Sequence, residues 1–252
     1  IIVDNTSVKS REIIESLSGC LWIYPPENIA SAGGFSMGMV KASELGADWV
    51  LLFNDDSRPK QGAIESLWDG VKKIGKTRLG LLKLGNLTNQ GKAILLDWKG
   101  VRKPRYVDVT EDPIQTDLVT FDGCLISGAL IREIGTCDPN YFMGTYEFDY
   151  CLKASEKGYL IYTLPNGLIE DGKLGSASGT PPWRQYYNTR NHLWLGLNRK
   201  EWSIVRAWIV RELKFSYAIL RWEDQKFLRL RYKFLGALHA LIGKRGKVLE
   251  PK

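Results

Sequence analysis

Short apolar runs alternate with longer stretches of helical period along the first half of the chain. Ile1-Ile2-Val3-Asp4-Asn5 reads as a strand that begins with no lead-in, Val8 to Leu17 as a helix, and Leu21 to Tyr24 as a strand. Gly33 to Leu45 places small and apolar residues at helical spacing. Trp49 to Phe53 is an apolar run of strand length, and Gln61 to Ile74 is the next helix. Strands that alternate with helices at this spacing predict parallel βαβ units.

The middle is less regular. Leu79 to Leu84, Ala93 to Asp97, Tyr106 to Val109 and Leu118 to Phe121 are predicted as short strands, and Ser127 to Ile134 as a short helix. Tyr146 to Lys157 is a stronger helix, closed by Gly158, and Tyr159 to Thr163 is a strand that stops before Pro165. Glycine, serine and proline crowd the stretch from Glu170 to Pro182, which reads as a mobile loop, either a connector or an active-site flap. From Trp183 onward the chain is mostly helical. In Ser203 to Trp222, Arg206, Arg211, Lys214 and Arg221 fall within an arc of roughly 140° at helical period, with Trp208, Ile209, Leu213 and Ile219 opposite. A second apolar, aromatic and basic run covers Phe227 to Leu241.

The 252 residues, 44% apolar and 25% charged, suffice for one large α/β domain with an appendage and a packed core. Cys20, Cys124, Cys137 and Cys151 lack CxxC spacing and read as free thiols of a reducing compartment. The net charge of +7 is uneven: residues 199–252 hold 14 Lys+Arg against 5 Asp+Glu, or +9, which leaves −2 for the rest. The basic character therefore belongs to the tail. Its charges interleave with bulky apolar residues at helical period, which suits a membrane surface or a packed helix better than phosphate tracking on a nucleic acid. No apolar run reaches the roughly 18–20 residues that span a bilayer.

Candidate chemistry centres on the end of the Trp49–Phe53 run, where an amide and two carboxylates, Asn54-Asp55-Asp56, precede Ser57-Arg58-Pro59. Open α/β sheets bind ligands at the carboxyl ends of their strands. Clustered hard oxygens there suit Mg²⁺ or Mn²⁺ with a diphosphate; a loop cap is the plainer reading. Glu147 and Asp149 open the Tyr146–Lys157 helix, either as charges complementing its dipole or as a general base, a role that needs only one of them. Glu170-Asp171 is a second acidic strand end, a further metal contact or a solvated loop. Arg184 and Arg190 lie among Tyr186, Tyr187 and Asn191, suited to phosphate recognition, to anchoring a loop, or to an ordinary helix start. His192 and His239 have no partners at ligand spacing and read as structural.

In order and spacing these pieces resemble a family-2 glycosyltransferase with the GT-A fold, from Ile1 to about Asn198. The matching segments are Val3 to Ser7, Asn28 to Phe35, Asn54 to Pro59, Glu147 to Lys153, and Tyr186-Tyr187 with Arg190-Asn191. Within the family the likeness is to bacterial rhamnosyl- and galactofuranosyltransferases. The resemblance implies an α/β, Rossmann-like mixed sheet flanked by helices, with a C-terminal helical extension. It implies that Asp4 meets the nucleotide base, that Asn28, Gly33 and Gly34 lie along the nucleotide, and that Asp56 binds the metal with Asn54 and Asp55 beside ribose and diphosphate. Glu147 would be the base, and Asp171 would complete the metal site. The chain departs from the family's pattern with Asn54 at the first acid of the DxD motif and Asp171 where histidine is common. The family's first strand and nucleotide loop normally precede Val3.

The expectation is thus an N-terminally incomplete GT-A catalytic domain over residues 1–198 and a basic amphipathic helical extension over 199–252. The expected activity is metal-dependent, inverting transfer of rhamnose or galactofuranose from a UDP- or dTDP-linked donor. The acceptor would be a hydroxyl of a glycan or lipid-linked molecule, in bacterial surface polysaccharide synthesis (cell wall or capsule). The expected partners are an anionic membrane surface and, as a possibility, a second copy of the chain, but no nucleic acid. The expected location is cytoplasmic, peripheral on the inner face of the plasma membrane. The competing expectation is a non-catalytic or truncated scaffold on the same fold.

Overall fold

The computed structural model describes residues 1–5, 19–75, 78–170 and 181–250. The helix expected over Val8 to Leu17, and Asp171 with most of the Gly-rich loop, lie outside these residues.

The elements in chain order are β1 (Ile2–Val3), β2 (Trp22–Ile23), α1 (Ala30–Glu44), β3 (Trp49–Leu52), β4 (Arg58–Pro59), α2 (Ala63–Ile74), β5 (Leu79–Leu84), β6 (Ala93–Trp98), β7 (Arg102–Val107), β8 (Ile114–Gln115), β9 (Cys124–Ser127), α3 (Gly128–Ile134), a 3₁₀ turn (Pro139–Tyr141), α4 (Tyr146–Glu156), β10 (Leu160–Leu164), β11 (Ile169–Glu170), α5 (Trp183–Arg199), α6 (Trp202–Trp222) and α7 (Lys226–Leu241). Five strands form the central sheet in the order β3-β9-β5-β10-β8. β5 and β10 are parallel, whereas β9 runs antiparallel to both its neighbours and β8 antiparallel to β10. β1 and β2 pair in parallel, β6 and β7 form an antiparallel hairpin, and β4 pairs with β11. The sheet is therefore mixed, as the resemblance implies.

The largest departure from the sequence reading is β9. Leu118 to Phe121, predicted as a strand, is largely buried but among the described residues pairs only through a single bridge from Leu118 to Leu96 of the β6–β7 hairpin. The strand lying between β3 and β5 is instead Cys124–Ser127, three apolar residues and a serine between two glycines. Periodicity cannot tell such a run from the start of a helix. Gly123 makes the entry: its φ is 65°, its N–H donates to Leu52 O at 2.8 Å, and a Cβ there would lie 2.5 Å from Ile169 Cδ1. Ser127 then caps α3 by accepting from Leu130 N–H at 3.1 Å.

Both faces of the sheet are covered. Ala63, Leu67 and Val71 of α2 pack on Leu79, Leu82, Leu84, Leu125 and Leu164. On the other face, α1, α3 and α4 bury Met39, Leu130, Tyr150 and Ala154 against Leu81, Ile126 and Ile161. The C-terminal helices continue this layer. α7 crosses α5 closely at Gly236, where a Cβ would stand 2.6 Å from Tyr186 O, and α6 approaches α5 at Gly196, where a Cβ would stand 2.9 Å from Val205 Cγ2.

α6 divides its faces differently from the predicted arc. Trp208 does turn inward, donating its indole N–H to Thr189 O at 3.0 Å, and Ile219 is buried. Arg211, expected with the exposed cations, also turns inward and donates to Asn188 O at 2.8 Å. Ile209 and Leu213, expected opposite the cations, are exposed beside Arg206 and Lys214. The outward face thus mixes cations with bulky apolar side chains. No helix among the described residues is long and apolar enough to cross a membrane.

Candidate active site

The site is built where β3, β5 and β10 end. After β3 the chain turns through Asn54, Asp55 and Asp56, all exposed. Asp122, buried just before β9, holds this turn. Its Oδ1 accepts from Asn54 N–H at 2.9 Å and its Oδ2 from the Ser57 hydroxyl at 2.5 Å. Lys83, near the end of β5, donates its ammonium to the Asp122 carbonyl. The sequence reading missed Asp122. Its signal was available: Asp122 is the one acid in the otherwise apolar or small stretch from Leu118 to Gly128.

Residue 121 faces the other way. Its backbone N–H donates to Glu147 Oε1 at 2.8 Å, in the first turn of α4. Burial pushes the Glu147 carboxyl above the usual range, against the Phe121 hydrogen bond and the fields of Lys83 and Arg102, which draw it down. Two consecutive residues therefore tie the acidic turn to the candidate base. Asp149 differs from Glu147. It is 2% exposed and committed to Lys153 at 2.8 Å and Arg199 at 3.2 Å.

The turn that delivers Glu147 is strained. Phe142, Gly144 and Thr145 have φ of 65°, 66° and 69°. For the two that are not glycine this costs about 1–3 kcal/mol each and persists only where the surroundings over-determine it. Asn191 supplies that constraint. Its amide donates to Tyr141 O at 2.9 Å, Met143 O at 2.7 Å and Gly144 O at 3.3 Å. Arg190, wholly buried, adds a bond to Tyr141 O at 3.0 Å and another to Gly246 O at 2.7 Å, while its guanidinium covers the rings of Tyr186 and Tyr187. Arg190 thus faces the loop and the C-terminal segment, whereas Arg184 is exposed beside Trp183. The Tyr-Tyr…Arg-Asn motif takes the anchoring role.

The Asn28–Gly34 segment opens α1. Asn28 Oδ1 accepts from Ala30 N–H at 2.8 Å, and Ala30 stands at φ 51°. Asn5, following β1 and the buried Asp4, accepts from Ile29 N–H and donates to Ala30 O, both at 3.3 Å. Gly33 is required where it stands, since a Cβ would lie 2.6 Å from Ile29 Cβ; one at Gly34 would stand 3.4 Å from the Asn5 amide. Ala32 N–H donates to Phe142 O at 3.1 Å, so this segment is bonded directly to the turn before Glu147. Both histidines are structural. His192 Nε2 donates to Gly100 O at 2.7 Å, and His239 Nδ1 bonds the Tyr186 hydroxyl at 2.8 Å.

Asn54, Asp55 and Asp56 place an amide and two carboxylates on one turn. Neither carboxylate has an ion pair among the described residues, and no group of three His, Cys, Asp or Glu side chains gathers among them. Such a donor set fits Mg²⁺ or Mn²⁺, which commonly bind through one or two carboxylates and complete their shell with substrate phosphates and water.

No family model matches the sequence. Among curated proteins the chain is 21% identical over 231 residues to the dTDP-rhamnosyl transferase RfbF of Shigella flexneri, covering 86% of this chain and 75% of that protein. It is 36% identical over 70 residues to the galactofuranosyltransferase GlfT1 of Mycolicibacterium smegmatis, covering 26% and 22%. To GlfT2 of Mycobacterium tuberculosis it is 24% identical over 229 residues, covering 79% and 36%. The matched regions thus span well under half the length of both galactofuranosyltransferases. Among solved structures, GalNAc-T7 with UDP, GalNAc and Mn²⁺ superposes with a TM-score of 0.57 at 15% identity, covering 77% of this chain and 40% of that one. Staphylococcus aureus TarS 1-349 gives 0.56 at 12%, covering 94% and 70%. The fold is that of the GT-A glycosyltransferases. Relatives and fold both agree with the family-2 glycosyltransferase resemblance carried by the motifs.

Proposed function

We propose that this chain transfers a sugar from a nucleoside diphosphate donor to an acceptor hydroxyl by direct displacement, with Glu147 as base. The observation that carries the reading is the pair of bonds made by residues 121 and 122. One holds the Glu147 carboxylate and the other orders the Asn54–Ser57 turn, so base and diphosphate end share a single scaffold. Glu147 takes the acceptor proton. The acceptor oxygen forms a bond to the anomeric carbon as the bond from that carbon to the diphosphate breaks, and the electron pair departs on the diphosphate. One displacement inverts the anomeric centre. Asp149 keeps its two ion pairs and leaves the base role to Glu147.

Asp56, with Asp55 and Asn54 beside it, would hold Mg²⁺ or Mn²⁺, with Asp171 as a further ligand. When bound, the ion offsets charge on the leaving diphosphate. Asp4, Asn28, Gly33 and Gly34 would line the nucleotide, with Arg184 at the edge of the donor site. The names of the relatives favour rhamnose or galactofuranose, carried on dTDP or UDP, and an acceptor in bacterial surface polysaccharide. The outward face of α6, with Arg206 and Lys214 beside Ile209 and Leu213, suits the anionic inner leaflet of a plasma membrane. Residues 1–198 would form the catalytic unit and 199–252 the membrane-facing extension. Calorimetry with UDP and dTDP plus Mn²⁺, followed by a transfer assay with Glu147→Gln, tests the assignment. Binding to one nucleotide and loss of transfer in the variant are expected. Binding to neither by the folded protein favours a non-catalytic scaffold.

A further inference from the structure

A cavity of about 290 Å³ lies between the β6–β7 hairpin and the ends of β5 and β10. It is at the small end of ligand sites and has room for one sugar ring. Its floor is apolar. Its polar lining comprises Asn86, Tyr106, Thr120 and Thr163 with two cations, Lys83 and Arg102, and no carboxylate. The acidic turn and the Asn28–Gly34 segment contribute nothing to it. Thr120 lines the cavity, Phe121 holds Glu147, and Asp122 holds the acidic turn, so one run of three residues passes from cavity to base to donor end.

Lys83 and Arg102 together give this cavity its positive charge, and Lys83 directs its ammonium to the Asp122 carbonyl. On the same strand as Arg102, Arg105 is neutralised by Asp97 at 3.1 Å. Arg102 makes no ion pair among the described residues, and its guanidinium lies 6.0 Å over the ring of Phe148, the residue after Glu147. Tyr106, exposed at the cavity wall, offers an aromatic platform for a sugar face. We propose that this cavity is the acceptor subsite and that it takes an anionic acceptor, a sugar carrying a phosphate, with Arg102 as the specificity-determining cation. A guanidinium matches phosphate oxygens through its planar fork. The name acceptor rests on the proposed transferase reading; the anion selectivity does not.

The test measures binding of a hexose 1-phosphate, its methyl phosphodiester and the free hexose, with saturating nucleoside diphosphate and Mn²⁺ present to occupy the donor side. The hexose 1-phosphate or the diester is expected to bind at least tenfold tighter than the free hexose. Arg102→Gln, at an exposed position, should erase that preference while nucleotide affinity stays within twofold. Binding of the diester as tight as that of the monoester assigns a phosphate within a linked chain; binding of the monoester alone assigns a terminal phosphate. Either supports the site. Equal binding of all three compounds, competition by the nucleotide, or a preference that survives Arg102→Gln would overturn it. If no nucleotide binds, the transferase reading fails, while the anion selectivity is still measured by the same titration.

Discussion

The backbone N–H of Phe121 donates to Glu147 Oε1 at 2.8 Å, and the second carboxylate oxygen makes no hydrogen bond among the described residues. One oxygen is fixed and the other stays open, as the proposed base role requires. Because the carboxyl is raised by burial, it takes up its proton at a higher pH than an ordinary glutamate. A base must be ionised, so kcat/KM for transfer should fall as pH drops through that raised value, above the usual ~4.3. Glu147→Gln should lower turnover by about 10²–10⁴-fold and abolish this acid limb, with nucleotide affinity unchanged. An identical pH profile in the variant would remove Glu147 from the chemistry.

The same shift has a consequence for stability. A carboxyl whose folded pKa is raised makes the ionised folded state costly. That cost is fully present above the folded pKa and absent below the unfolded one. Glu147→Gln should therefore raise Tm at pH 8, by something on the order of 1–3 °C. The gain should vanish near pH 4. Thermal scans at the two pH values measure it, and an equal shift at both would point to packing instead.

Asp122→Ala removes two acceptors at once, from Asn54 N–H and from the Ser57 hydroxyl. Losing a buried acceptor costs about 1–3 kcal/mol. The Asn54–Ser57 turn should loosen, and the affinity for nucleoside diphosphate with Mn²⁺ should drop about tenfold or more. Asp122→Asn keeps one acceptor and should fall between. Calorimetry on the three proteins orders them; unaltered affinity in Asp122→Ala would show that the turn holds its shape without this residue.

Asn191 is the constraint on a turn with three positive φ values, so Asn191→Ala should release strain rather than simply delete a contact. The expected result is a stability loss of about 1–3 kcal/mol. A kcat loss should exceed any change in donor KM, since the turn carries Glu147 on its own backbone and reaches the Asn28–Gly34 segment through the Ala32–Phe142 bond. A change in donor KM alone would contradict the role.

The pieces of this site legible in the sequence were those with a local signature. The apolar run ending in Asn54-Asp55-Asp56 does end a sheet strand, and Glu147 does sit in the first turn of a helix. Asn191 was legible as part of the Arg190-Asn191 pair, with loop anchoring among its readings, but its partner at Met143, 48 positions away, was not. Asp122 and Lys83 were missed because their roles are contacts at long range: Asp122 meets Asn54 across 68 positions and Lys83 meets Asp122 across 39. β9 was hidden because three apolar residues and a serine between glycines carry no period. The two faces of α6 were blurred because Arg211 finds Glu212 and the Asn188 carbonyl inside, while α5 and α7 leave Ile209 and Leu213 uncovered.

His192 should add to the pH dependence of stability on the acid side. It lies buried on α5 and donates from Nε2 to Gly100 O, at the turn joining β6 to β7. Desolvation first, and then the Arg211 guanidinium, hold its pKa down to about 4, although the Gly100 bond and Glu212 pull it up. An unfolded histidine titrates near ~6.5. Between these values the unfolded chain binds a proton that the folded chain refuses. Stability from this residue is thus complete above about pH 6.5 and is lost as pH falls toward 4, at up to about 1.4 kcal/mol per pH unit. His192→Gln has no proton to take up and should flatten that part of the Tm–pH curve. The turn at Gly100 also touches α6, since a Cβ on Gly100 would stand 2.9 Å from Ser203 O. Protonation should therefore free the hairpin that walls the Arg102 cavity before the sheet unfolds. Amide exchange at pH 5 should rise first in residues 93–107 of the wild type and not in the variant. Uniform exchange across the chain would show that His192 reports only on global unfolding.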